Sequence, residues 1–372
     1  MSTPPLEIQE RTFGNLVKRR IAQKLHKPAA PAPTGKPIVA GVVGAGNIVR
    51  GAYVWKLKNK YPFRLAAVFD VNKAGADQVA HDTGARSCAS LTELINDPEI
   101  EAVFICTPEK FHCETALAAL AARKHVLCEK PLAHTHEEAK RMVAAAKEAG
   151  VTTFVNFSFR FRPEVIYLSQ LLQSGLIGKV YHAWGTLSQG KWFNSAGEPA
   201  NERNDAAPWK YAAGGGVLGD LGPHLVDILR YWLGEVTQVQ GWTASFRGGE
   251  MVAEDICGIS LWFGPGPIVQ AATSRWATGY KERAWFEIHG SEGAIIFEPG
   301  AIKLWTRNEP RWRDLMIPPA SANFLDAFHA AITTGSHASP NFGDGLKNNE
   351  VLAAIAQSAR TGQVVKLSDS GS

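Results

Sequence analysis

Two short stretches carry residue types that can do chemistry. In Val126-Leu127-Cys128-Glu129-Lys130-Pro131 an apolar run ends and a Glu, a Lys and a Pro follow at once. Parallel strands of a doubly wound sheet present their carboxyl ends to the ligand crevice, so a Lys directly after such a strand projects into it. Charged side chains seldom sit at buried strand ends without a partner. Lys130 therefore reads either as a site residue or as an ion pair to Glu129 or to a cofactor phosphate. The second stretch is Gly214-Gly-Gly-Val-Leu-Gly-Asp220-Leu-Gly-Pro223-His224-Leu-Val-Asp227. Pro223 suits the first turn of a helix, which places His224 at the positive dipole end, where a neutral imidazole is favoured. A neutral imidazole can take a proton from a substrate hydroxyl. Asp220 could orient that ring, and Asp227 could pair with it or with the substrate. The structural alternative is a His satisfied by its own helix and a carboxylate that braces a glycine loop.

These residues need elements to hold them. Ile38–Val43 reads as a buried strand, and Gly44-Ala45-Gly46-Asn47-Ile48-Val49 follows and opens a helix. That is the dinucleotide fingerprint, with Val49 in place of the third Gly. Gly44 permits the tight turn, Gly46 admits a pyrophosphate, and the helix N-terminus at Asn47 and Ile48 supplies N–H groups. A second strand, Leu65–Phe69, ends in Asp70, close to the spacing of the carboxylate that holds a ribose 2′-OH. A carboxylate there favours NAD, with NADP kept possible by the nearby Lys73. Asp70 also reads as a helix N-cap. Further strand–helix units follow: a helix at Leu91–Asn96, a strand at Glu101–Cys106 leading to Thr107-Pro108, a helix at His112–Arg123, and a strand at His125–Cys128. Thr135-x-x-Glu138 is a capping box, and the helix it starts runs to Ala149 before Gly150. Val151–Phe157 is again strand-like. Alternating strands and helices predict a parallel doubly wound sheet.

Beyond residue 158 the pattern changes to short consecutive strands, at Val180–Leu187, Val236–Phe246, Asp255–Phe263, Ile268–Trp276, Arg283–Gly290 and Ala294–Phe297. These predict a largely antiparallel sheet, and helices return at Phe324–Thr333 and Gly345–Thr361. The fold class is α/β, with residues 38–157 as the nucleotide-binding domain and 158–372 as the substrate and oligomerisation domain. Arg160, Trp192, Trp209 and Tyr211 are candidates for a substrate wall by position and type. Residues 1–37 form an arm: Phe13, Leu16, Val17, Ile21 and Leu25 recur at helical spacing, and a Pro-rich linker follows. The arm reads equally as a segment packed on a partner subunit and as a solvated helix.

Composition narrows the class. The chain has 372 residues, a formal net charge of +4 and no apolar run of membrane-span length. Dispersed basic residues argue against a nucleic-acid partner. Five cysteines at 88, 106, 113, 128 and 257 make no CxxC pair and no zinc spacing. No metal is expected, and an unpaired set suits a reducing, cytoplasmic compartment.

Taken together, Gly44-Ala-Gly-Asn-Ile, Cys106-Thr-Pro with His112, Glu129-Lys130-Pro131 and the Gly-Gly-Gly to Asp220, His224 and Asp227 stretch resemble the glucose–fructose oxidoreductase / inositol dehydrogenase / rhizopine-catabolism family. The resemblance runs from about Pro37 to the C-terminus. It implies a Rossmann domain, then an open, mostly antiparallel sheet that commonly builds dimers or tetramers. It implies hydride transfer between nicotinamide and a carbon of a sugar or cyclitol. Thr107, Pro108, His112 and Glu129 fall on its nucleotide-site motifs. Lys130 matches the lysine that hydrogen-bonds the reacting oxygen, and Pro131 a position often cis. Asp220 and His224 match the pair in which the His takes the hydroxyl proton. His224 stands where the glucose–fructose branch has Tyr, which implies the inositol or sugar dehydrogenase branch. The same set would serve a redox-assisted glycosidase that retains its NAD. A non-catalytic nucleotide sensor is the third reading.

Overall fold

The computed structural model describes residues 8–11, 36–58, 62–190, 216–246, 253–319 and 322–367. Its contacts divide the chain into two compact units, Pro28–Ser158 with Ser321–Asn349, and Met1–Lys27 with Phe159–Ala320 and Glu350–Ser372.

The first unit is built on six strands: β1 (Ile38–Val43), β2 (Phe63–Phe69), β3 (Arg86–Ser87), β4 (Ala102–Ile105), β5 (His125–Cys128) and β6 (Thr153–Val155). They are ordered β3-β2-β1-β4-β5-β6, and every neighbouring pair is parallel. All six residues of β1 are buried, as expected of a parallel strand covered on both faces. The capping box at Thr135 and Glu138 forms, and Gly150 closes that helix in the left-handed conformation. Helix Phe324–Thr334 comes from far along the chain, yet its contacts lie here. Phe328 stacks on Phe63 with centroids 5.5 Å apart and meets Phe154 at 5.6 Å, while Phe324 meets Tyr53 edge-on at 5.5 Å. A linear reading gives residues 321–349 to the second domain; their aromatic residues group them with this sheet instead.

The second unit holds β7 (Val180–Ser188), β8 (Gln238–Ala244), β9 (Ile256–Trp262), β10 (Ile268–Ser274), β11 (Arg283–Gly290), β12 (Gly293–Glu298), β13 (Ala301–Thr306), β14 (Glu309–Asp314) and β15 (Val365–Lys366). Their order is β14-β13-β12-β11-β7-β10-β9-β8-β15. Only β7 and β10 pair in parallel; the other neighbours are antiparallel. Alternation along the strands sends Ala183, Leu187, Phe286, Ile288 and Ile295 into one core, which also takes the apolar faces of helices Pro163–Gln173 and Gly222–Leu233. Near the start of the chain, Glu10 bridges Leu315, with Arg11 N donating to Asp314 O at 2.6 Å. The helical spacing expected between Phe13 and Leu25 lies outside the described residues, as do Trp192, Trp209, Lys210 and Tyr211.

Candidate active site

The nucleotide edge is assembled from the carboxyl ends of β2, β1, β4 and β5. Gly44 has φ +100°, and a Cβ there would lie 2.6 Å from the Cys106 carbonyl oxygen, so only glycine fits. A Cβ on Gly46 would meet nothing within 4 Å, which leaves open space above the turn for a ligand. The helix that follows opens at Asn47 and Ile48, passes through a π-helical turn, Val49–Tyr53, and continues as Val54–Leu57. The π turn starts at the Val that replaces the third fingerprint Gly, and Val49 is fully buried.

Asp70 accepts from Ala45 N at 2.6 Å and from Asn72 N at 2.7 Å. It thus ties the fingerprint turn to the end of β2. The N-cap of helix Lys73–Thr83 is Asn72, not Asp70. Lys73 Nζ lies 2.5 Å from Asp77 and 3.3 Å from Ser87, engaged within its own unit. Just past β4, Thr107 Oγ1 is buried and has no hydrogen-bond partner among the described residues. His112 is 1% exposed. One ring nitrogen faces Pro131 O at 2.9 Å and the other faces Thr107 O at 2.8 Å. The sequence reading places His112 among cofactor contacts. The geometry sets it between the Thr107-Pro108 and Lys130-Pro131 turns, with both ring nitrogens facing backbone carbonyls.

Glu129 ends β5 and is 7% exposed. Tyr53 Oη donates to its Oε1 at 2.7 Å, and Asn156 Nδ2 donates to the same atom at 2.7 Å. Burial, then the Glu129 charge, push the Tyr53 phenol well above its ordinary range. Lys130 is half-buried, and the Lys130–Pro131 bond is cis. An open glycine turn after β1, a carboxylate just past β2 and a hydroxyl just past β4 with no partner among the described residues together suit a dinucleotide such as NAD.

In the second unit, helix Gly222–Leu233 carries His224 and Asp227. Pro223 stands at the start of that helix and His224 in its first turn, as expected. Leu221 is itself helical, and Leu225 N donates to Leu221 O at 3.0 Å. A short turn at Val217–Asp220 precedes the longer helix, and Glu254 caps that turn, its carbonyl accepting from Val217 N at 3.0 Å and its carboxylate from Leu218 N at 2.9 Å. The His224 ring stacks on Phe159 with centroids 4.2 Å apart and planes 9° from parallel. The Arg162 guanidinium lies 3.6 Å from the same phenyl ring and pairs with Glu282.

Asp220 forms an ion pair with Arg275, whose side chain is 2% exposed. Arg275 also donates to Gln189 at 3.1 Å. Arg275 is absent from the sequence reading. Its signal is the one that singled out Lys130: a charged residue directly after an apolar strand, here β10. Asp227 is fully buried and takes Arg160 in a fork, with Nε 2.9 Å from both carboxylate oxygens and Nη2 2.7 Å from Oδ1. Arg160 is itself 7% exposed. The substrate-wall role expected of Arg160 gives way to a brace under the His224 helix, because a fork engaged with a buried carboxylate has little left for a ligand.

Residues 38–157 match the family described as an oxidoreductase family with an NAD-binding Rossmann fold, and residues 165–296 match the GFO/IDH/MocA C-terminal domain. The chain is 30% identical over 322 residues to levoglucosan dehydrogenase of Pseudarthrobacter phenanthrenivorans, covering 73% of this chain and 81% of that protein. It is 30% identical over 345 residues to 1,5-anhydro-D-fructose reductase of Ensifer adhaerens, covering 88% and 98%. A solved structure of levoglucosan dehydrogenase in complex with NADH and levoglucosan superposes with a TM-score of 0.78 at 26% identity, covering 89% of this chain and 99% of that one.

Proposed function

This chain belongs to the Gfo/Idh/MocA oxidoreductase family, and on that premise we propose the following assignment of roles. The protein is an NAD-dependent oxidoreductase that moves a hydride between nicotinamide and a secondary hydroxyl or carbonyl of a sugar, cyclitol or related carbohydrate. The observation that carries this reading is similarity along nearly the whole length of sugar-acting relatives, with Lys130, Asp220 and His224 all present. Bound nicotinamide supplies the carbon that exchanges hydride. His224 takes the proton from the substrate hydroxyl in oxidation and returns it in reduction. Lys130 donates a hydrogen bond to the same oxygen and stabilises its developing negative charge. Asp220, anchored by Arg275, positions the proton-transfer group. Trp209 and Tyr211 remain assigned to the substrate wall on residue type alone.

The test is the absorbance of purified protein mixed with sugars, cyclitols and glycosides, first with no added cofactor and then with excess NAD or NADP. Reduced nicotinamide accumulating beyond the protein concentration supports a dehydrogenase. Reduction of bound cofactor only to stoichiometry, followed by recycling, overturns net oxidation in favour of the NAD-retaining glycosidase.

Two finer assignments accompany this one. The outer face of the second sheet exposes Trp184 at 42% and Trp242 at 55%, an aromatic surface suited to a second copy of the chain. We assign a homo-oligomer on that face; Trp242→Glu should lower the mass in solution, and an unchanged mass would remove the assignment. All five cysteines are free and buried, and no helix among the described residues is long and apolar enough to cross a membrane. The unpaired cysteines support the cytoplasmic assignment.

A further inference from the structure

We propose that Glu129 is a built-in counter-ion for oxidised nicotinamide, so that the nucleotide unit holds NAD+ in preference to NADH and leans toward reduction of the substrate carbonyl. The inference rests on the NAD-binding reading above and adds to it a preference between the two redox states.

Strand order locates the charge. Along the crevice the strand ends run β2, β1, β4, β5. Asp70 stands on β2 and the open Gly46 turn on β1. With a ribose at the first and the pyrophosphate at the second, the other half of the dinucleotide runs over β4 and β5. Neighbouring strands are about 4.8 Å apart, so that half ends near Glu129.

The carboxylate there is costly to hold. It is 7% exposed, and the two groups that donate to it are neutral, a phenol and an amide. Asn156 Nδ2 also lies 2.9 Å from Tyr53 Oη, closing a three-residue network. Both donate to the same carboxylate oxygen of Glu129. Burying an anion is expensive unless a cation compensates it. Burial first, then Glu129, push the Cys106 and Cys128 thiols well above their ordinary range. Oxidised nicotinamide carries a positive charge that the reduced ring lacks. In reduction, hydride leaves C4 of NADH for the carbonyl carbon, the oxygen takes a proton, and NAD+ remains; the cation thus forms on the side of the reaction that Glu129 favours.

The experiment titrates the full chain with NADH, followed by nucleotide fluorescence, and with NAD+ by competition. The wild type should bind NAD+ at least as tightly as NADH. Glu129→Gln keeps an oxygen for Tyr53 and Asn156 but removes the charge. It should weaken NAD+ roughly tenfold, about 1.4 kcal/mol, and leave NADH within about twofold. Tyr53→Phe keeps the charge and should keep the NAD+ preference. Equal shifts of both affinities in Glu129→Gln, or no shift of either, overturn the inference. Should that variant fail to fold, the wild type decides: NADH held tenfold or more tightly than NAD+ overturns it. A wild type that binds neither nucleotide overturns the NAD-binding reading as well.

Discussion

Removing the Asp227 carboxylate should unfold the second unit far more readily than it harms substrate binding. The fork between Arg160 and Asp227 has three nitrogen–oxygen contacts of 2.7–2.9 Å, with side-chain exposures of 8% and 0%. Arg160 also lies over Tyr231, with its guanidinium carbon 5.2 Å from the ring centroid. Taking away one partner of a buried pair strands the other charge and costs about 3–5 kcal/mol. Asp227→Ala is expected to cost that much in urea unfolding followed by tryptophan fluorescence. Replacing both residues with apolar ones of similar size, Arg160→Met with Asp227→Leu, should recover most of the loss, since neither charge is then left buried. The double variant should fold and should keep KM for the sugar within about threefold, because in this reading neither side chain touches substrate. Two results would refute the reasoning: a loss below about 1 kcal/mol in Asp227→Ala, or a large rise in KM for a well-folded double variant. The second would return Arg160 to the substrate wall.

The catalytic assignments predict that Lys130→Met and His224→Ala each lower kcat by a factor on the order of 10²–10⁴ while NADH still binds; near-normal turnover in either removes its assigned role. Asp70→Ser should weaken NAD and narrow its advantage over NADP, read from the two KM values, because it removes the carboxylate that repels a 2′-phosphate. Stability should also fall in mild acid. Burial holds the His125, His182 and His329 imidazoles below their ordinary range, and His125 accepts from Thr152 N at 3.0 Å. The unfolded chain therefore binds more protons below its histidine pKa, about 6.5, and stability declines as pH drops through that value. A melting temperature flat from pH 7.5 to about 5.5 would contradict this.

The nucleotide half was legible because its signals are local. A buried six-residue strand, a glycine turn and a carboxylate at the end of the next strand are each read within a few positions, and Gly44 and Asp70 occupy the places those rules assign them. The second half was legible in class, since alternation marks strands that bury one face. Three strands of the second sheet escaped the reading. β13 and β14 lie at one sheet edge and β15 at the other, and β14 alternates charge rather than hydrophobicity, as edge strands do. What sequence reasoning missed in the site has a single cause. Asp227 meets Arg160 across 67 positions, and Asp220 meets Arg275 through the return of β10. No local rule pairs a carboxylate with an arginine that far away, so the sequence offers Arg160 only as a substrate-wall candidate and does not single out Arg275. Pro223 marks a first helical turn by rule and stands at the start of Gly222–Leu233, while the short turn at Val217–Asp220 before it goes unseen by that rule. The His224 imidazole also stacks on the Phe159 ring. Phe159→Leu should then disorder the His224 ring and lower kcat more than KM, whereas a dipole-held histidine would be indifferent to it.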